Sequence, residues 1–301
     1  MAEKTTENGP QKLADIREIA ELNSKAHPGT GDALQHSLAL YRYVEFYGEA
    51  LENSRNSPGA GTVLDHAEAF ALALDYSNYE KGLKGAKENP GTGSVYSHVW
   101  ALRLFPEKYE EALERCRKNP GTGTVGDYSM VMAHLEGAYH GALKGCIANI
   151  GTGTIWDHAR TLNEAKGNRV KYDECLARCR QNADSGTIFD HFMASRFKEA
   201  YEMALKNCVF NKGTGTVYDH AIALGEHGDV YDEALRMCVK NPGTGTVSDW
   251  SWALKNHGKY VSTALKQLKE CPGIGTIATR AAALHGEDES QDGMIPELLG
   301  D

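Results

Sequence analysis

The sequence predicts an all-α fold: an α-solenoid of about nine helix-turn-helix repeats, each some 30 residues long, wound into a superhelix. Three observations predict it. A Gly-Thr-Gly-Thr cassette or a close variant begins at Gly29, Gly59, Gly91, Gly121, Gly151, Asp184, Gly213, Gly243 and Gly273, at intervals of 29 to 33 residues. A period in that range is the mark of stacked repeats. Each cassette ends on a residue suited to cap a helix, and each of the first eight copies then carries a second segment with helical spacing.

The elements follow in order. Residues 1–10 are polar and read as a disordered N-terminus. Residues 11–25 read as a lone helix covering the first repeat, because the end of a stack has no neighbour. The first helix of each repeat starts at its cap: Asp32, Thr62, Ser94, Thr124, Thr154, Thr187, Thr216, Thr246 or Thr276. Three residues on stands Asp65, Asp127, Asp157, Asp190, Asp219 or Asp249, with Gln35, Ser97 and Thr279 as polar replacements. That spacing makes a capping box, in which cap hydroxyl and carboxylate satisfy each other's free N–H groups.

The second helix carries Tyr-x-x-small-Leu, as in Tyr109/Ala112/Leu113 and Tyr231/Ala234/Leu235. These spacings put the three side chains on one stripe, where the small residue admits another helix closely. The eighth copy reads Tyr260 to Ala264/Leu265, with one extra residue. From Leu to the next cassette is always eight residues, so length variation falls between the two helices and the joint between repeats is constant. Asn-Pro-Gly, as at Asn119–Gly121, ends several second helices, since proline cannot continue the helix and glycine can turn out of it. One helix, about Ile277 to Leu284, follows the last cassette. Residues 286–301 form an acidic tail with six carboxylates and no Lys or Arg; within it, Met294 to Leu299 is an apolar island, either a loosely ordered terminus or a docking peptide.

Gly228-Asp229-Val230-Tyr231-Asp232-Glu233-Ala234-Leu235, with Lys108 to Leu113 and Asn119-Pro120, resembles the turn and second helix of tetratricopeptide repeats. The likeness spans most of residues 11–285, read as a single helical-repeat solenoid. The repeat is about one helical turn shorter than that family's, and its first helix lacks the Trp-Leu-Gly pattern. The resemblance implies a right-handed superhelix with the first helices lining a concave groove. Pentatricopeptide repeats are a second relative and would imply RNA.

Charge argues against RNA. The net charge is −9, of which the tail supplies six, so the body is slightly acidic; nucleic-acid affinity comes largely from Lys and Arg on phosphates. There is no 18-residue apolar run and no charged-then-apolar leader, so neither a membrane span nor a secretory signal is expected. Cys116, Cys146, Cys179, Cys208 and Cys238 each stand three residues after the motif Leu, where other copies have Ser54 or Ala86. They read as small buried side chains in a cytoplasmic or other reducing compartment.

His36, His66, His98, His158, His191 and His220 are in register, next to the cap-box acid. A row of Asp-His pairs suggests metal or acid–base chemistry. Tyr128, Trp250 and Arg280 take the same place, however, and a metal ligand is not exchanged for Trp. The row therefore reads as packed, hydrogen-bonded residues, with no metal, cofactor or catalytic set. A glycine-rich turn before a helix can also cradle phosphate, but the capping Asp would compete for the same N–H groups.

The second and sixth positions of the first helices lie on one face and change from copy to copy: Leu34/Leu38, Leu64/Glu68, Tyr96/Trp100, Gly126/Met130, Trp156/Arg160, Phe189/Met193, Tyr218/Ile222, Ser248/Trp252 and Ala278/Ala282. A scaffold kept constant under a changing face is the pattern of partner recognition. Tyr96, Trp100, Trp156, Phe189, Tyr218 and Trp252 are the candidate partner-binding residues, or else they fill gaps between repeats. The function expected is a non-enzymatic protein–protein interaction scaffold gripping a peptide or protein helix. The alternatives are a pentatricopeptide-like RNA binder, or a subunit of an enzyme or multiprotein complex.

Overall fold

The computed structural model describes residues 9–292 apart from 74 and 271–274, with side-chain surroundings given between 15 and 286. The expected disordered stretch before residue 9, the island at Met294–Leu299 and the start of the ninth cassette lie outside the described residues. All regular structure among the described residues is helical. The described residues divide into two compact units, one of residues 16–196 and one from residue 197 onward.

The larger unit, which takes in α1 (Gly9–Ala26) from Ile16 on, holds five hairpins. They are α2 (Ala33–Arg42) with α3 (Tyr47–Asn56), α4 (Val63–Ala73) with α5 (Tyr76–Glu88), α6 (Val95–Leu104) with α7 (Tyr109–Lys118), α8 (Val125–His134) with α9 (Tyr139–Ala148), and α10 (Ile155–Glu164) with α11 (Arg169–Gln181). The short α12 (Ile188–Ala194) ends the unit. In the other unit stand α13 (Tyr201–Phe210), α14 (Val217–His227) with α15 (Tyr231–Lys240), α16 (Val247–His257) with α17 (Val261–Glu270), and α18 (Ile277–Asp292). The last helix runs eight residues beyond the expected Leu284 and takes in the start of the acidic stretch.

The expected caps form in all but one copy. Thr124 N–H donates to Asp127 Oδ2 at 2.7 Å while Asp127 N–H donates to Thr124 Oγ1 at 3.3 Å. Asp32 does the same with Gln35, at 3.0 and 2.9 Å. Ser94 is the exception and makes no side-chain cap bond. The cassette reverses the chain through glycine: Gly121 and Gly123 sit at φ 81° and 140°. Asp184, which replaces the first glycine of the sixth cassette, takes φ 67°, a region that Asp tolerates better than most residues.

Length varies where expected, and the structure gives the reason. The two repeats with the longest periods hold the 13-residue second helices α5 and α11. Each has a cap of its own: Asp75 accepts from Asn78 N at 2.8 Å, and Asn168 from Lys171 N at 3.2 Å. The extra residues thus become an added helical turn.

Within each unit, a first helix packs on the second helix before it and on neighbouring first helices, as α6 does on α4, α5 and α8. Alanines make these approaches close: Ala39, Ala50, Ala67, Ala101, Ala112 and Ala142 are fully buried. A backbone bond also links successive cassettes. The first helical N–H of one repeat donates to the cassette of the previous one: Val63 to Thr30 O at 2.7 Å, Val125 to Thr92 O at 2.7 Å, Ile155 to Thr122 O at 2.7 Å, Val247 to Thr214 O at 2.8 Å.

Candidate functional site

The histidine row builds the interior of each repeat. In the third repeat Tyr109 OH lies 2.8 Å from His98 Nδ1, and His98 Nε2 lies 3.0 Å from Thr92 Oγ1. Thr92 Oγ1 donates to Asn89 O at 2.7 Å, so its lone pairs are free to accept and its proton is not. The chain therefore runs one way: tyrosine hydroxyl to Nδ1, Nε2–H to threonine, threonine hydroxyl to carbonyl. The same chain recurs at Tyr47/His36/Thr30, Tyr172/His158/Thr152 and Tyr231/His220/Thr214. All these histidines are fully buried. Burial holds the imidazoles neutral, pulling His98, His158 and His220 down to about 4.

Variant copies alter this set in defined ways. Tyr128 bonds Thr122 Oγ1 directly at 2.6 Å. Trp250 Nε1 donates to Thr244 Oγ1 at 3.2 Å, and the tyrosine position beside it is taken by buried Val261. That corrects the reading of the eighth copy: Tyr260 is not a displaced motif tyrosine, and no residue is inserted. Histidine and tyrosine are both replaced in that copy, whereas the fourth repeat replaces only histidine and keeps Tyr139. In the second repeat Ala60 replaces threonine, and His66 Nε2 has no partner.

The tyrosine link was hidden in the sequence because histidine and tyrosine stand 11, 13 or 14 residues apart, depending on the intervening helix. The preceding second helix completes each joint. Asn23 and Asn207 donate to Tyr47 and Tyr231 OH, both at 2.9 Å. At Gly85 and Gly145 a Cβ would collide with the hydroxyls of Tyr109 and Tyr172. Cys116, Cys146, Cys179 and Cys238 point Sγ at cassette carbonyls, 3.3 to 3.4 Å from Gly123, Gly153, Gly186 and Gly245 O, as Ser54 Oγ does at Gly61 O. Burial pushes the Cys116, Cys146 and Cys238 thiols up to about 11.

These residues thus hold the fold and face one another. Among the described residues no group of three or more His, Cys, Asp or Glu could hold a metal ion. The cassette N–H groups are likewise engaged. The cap N–H goes to Asp Oδ2 and the next to the preceding cassette, as at Thr154 and Ile155.

The variable face is different. Within residues 16–196 the first helices α2, α4, α6, α8, α10 and α12 contact one another in sequence, forming one layer. Tyr96, Trp100, Trp156 and Phe189 are all half-buried on it. Trp100 lies over Gly126, where a Cβ would be 3.4 Å from its ring, and meets Phe105 edge-on at 5.3 Å. Arg160 joins Trp156 and Phe189, its guanidinium 5.5 and 3.8 Å from their ring centres. In the other unit Tyr218 is half-buried beside Phe197, and Trp252 is 37% exposed beside His257, 4.7 Å between ring centres. Arg160, Phe105, Phe197 and His257 were not anticipated in these clusters. Arg160 holds a variable position, which was its one signal. The other three lie where the first helix ends, outside any repeated motif.

The second helices also leave apolar groups in solvent, notably Met203, Phe210 and Val239. Among the described residues no helix is long and apolar enough to cross a membrane. No protein-family model matches the chain, and neither a curated protein nor a solved structure matches it.

Proposed function

We propose that the chain is a non-enzymatic scaffold that binds a peptide or protein segment along the face of its first helices. The observation that carries this reading is a contrast. Cassette, capping acid, histidine and tyrosine recur as a buried, mutually bonded set. The second and sixth helical positions beside them change through Leu, Glu, Tyr, Trp, Met, Arg and Phe, and most are half-buried, with Leu34 and Trp252 more exposed. A purely structural face would repeat, as the rest of the repeat does. Tetratricopeptide-like arrays, which the hairpins resemble, use this same layer for recognition.

Large rings at such positions bury much area with few rotatable bonds. Peptides selected from a displayed random library on the full chain supply the ligand. Trp100→Ala and Trp156→Ala should each weaken the selected peptides roughly thirtyfold, about 2 kcal/mol, and shift the melting curve little. Unchanged binding with a loss of several kcal/mol of stability would mark the rings as packing residues and sink the proposal.

A further inference from the structure

We infer that the first-helix layer of residues 16–196 reads an extended peptide of fixed polarity, with a partner carboxylate on Arg160 and a partner cation on Glu68. The inference rests on the scaffold reading and adds the chemistry and direction of the ligand.

Glu68 and Arg160 occupy the same position of the first helix, the sixth, in the second and fifth repeats. Both are half-buried on the variable face. Their charged neighbours are engaged: Arg196 pairs with Glu164 at 2.8 Å, Arg103 donates to Leu72 O at 2.7 Å, and Asp65 holds its own cap at 2.8 Å. Glu68 and Arg160 make no ion pair or hydrogen bond among the described residues. Arg42 acts on Glu68 only through space. Arg160 is held by its flat face against Phe189, at 3.8 Å, with Trp156 beside it. Stacking fixes the plane of a guanidinium and leaves the N–H donors around its edge, the geometry that takes a carboxylate in two parallel bonds. Burial pushes the Tyr43 and Tyr96 hydroxyls up, and the charge of Glu68 adds to it through space. A half-buried carboxylate with no bonded partner is a position for an ammonium or guanidinium. Between the two charges the face carries Trp100 and Met130, both uncharged.

The spacing selects the conformation of the ligand. Packed helices stand about 8–10 Å apart. A polyproline-type chain advances about 9 Å in each three-residue turn, so every third residue meets the next first helix. Three steps separate α4 from α10. The charged residues of the peptide should therefore stand about nine positions apart, with apolar residues between them.

The test selects displayed random 15-residue peptides on the immobilised full chain and on its E68K/R160E double variant. Wild type should enrich one acidic and one basic residue about nine positions apart in one order, and the double variant the opposite order. Arg160→Met should weaken a selected peptide tenfold or more, and Glu68→Gln should do the same through the basic residue. These single variants stand in for the double one if it fails to fold. Enriched peptides with no charge pair, or the same pattern on both proteins, overturn this inference and leave the scaffold reading intact. No enrichment on either protein overturns both.

Discussion

Ala60 marks where one buried hydrogen-bond chain is broken. It stands where Thr30, Thr92, Thr152 and Thr214 receive a histidine, and it leaves His66 Nε2 unpartnered. An orphaned buried donor costs about 1–3 kcal/mol. Ala60→Thr should recover about 1 kcal/mol of this, read as a higher urea midpoint with unchanged slope; no gain would mean that the hydroxyl does not reach the ring. The caps offer a matched pair of tests. Thr246 bonds Asp249 N–H at 3.4 Å and also reaches Asp219 Oδ1 of the preceding repeat at 3.1 Å, whereas Ser94 makes no cap bond. Thr246→Ala should cost about 1 kcal/mol or a little more, and Ser94→Ala less than about 0.5 kcal/mol. Equal losses in urea melts would dissociate the cap from stability. The caps were legible in the sequence because acid and hydroxyl are three residues apart in most copies. The bond from one cap to the acid of its neighbour was not, since it depends on how repeats stack.

At the scale of the helix, the joint is tuned by what the preceding second helix brings to each tyrosine. Gly145 makes room for Tyr172, while Gly137, in a short turn, faces open space, with nothing within 4 Å of where a Cβ would stand. Gly145→Ala should therefore cost about 1–3 kcal/mol through overpacking, against a change within about 0.5 kcal/mol for Gly137→Ala. Thermal melts of the pair decide it, and equal effects would remove the joint from the account. The helices themselves were readable from caps, breakers and the Tyr-x-x-small-Leu stripe. The choice between Asn and Gly opposite the tyrosine was not readable, because it answers to a residue in the next repeat. The candidate face was legible as a pattern of variation. The stacking of Arg160 on Phe189 was not, because it joins side chains of adjacent repeats.

At the scale of the whole molecule, the recurring neutral histidines make stability depend on pH. His66, His98, His158, His191 and His220 are drawn down to about 4 by burial, against about 6.5 in the unfolded chain. The unfolded state thus takes up protons first as pH falls. The stabilisation is complete above about pH 6.5 and is lost progressively toward pH 4. At pH 5 the loss is about 2 kcal/mol per histidine. Asp157 and Glu68, raised by burial, act in the opposite sense but are two groups against five. The urea midpoint should fall steeply between pH 7 and pH 5. A flat profile would show that the imidazoles are not buried and neutral.

The offset between sequence period and packing has a consequence for shortening or lengthening such a chain. Second helix, cassette and following first helix are fastened by close helix packing and by cysteine or serine contacts, whereas the histidine–tyrosine bond and the cassette-to-cassette backbone bond run from one such block to the next. The link from first to second helix already tolerates an added turn in α5 and α11. The interchangeable module is therefore out of phase with the motif that reveals it. Splices made in the loops after the first helices would keep each packed junction of second helix, cassette and first helix whole and need only re-form the histidine–tyrosine and backbone bonds across the cut, whereas splices at the more conspicuous glycines would join halves of two different packed junctions.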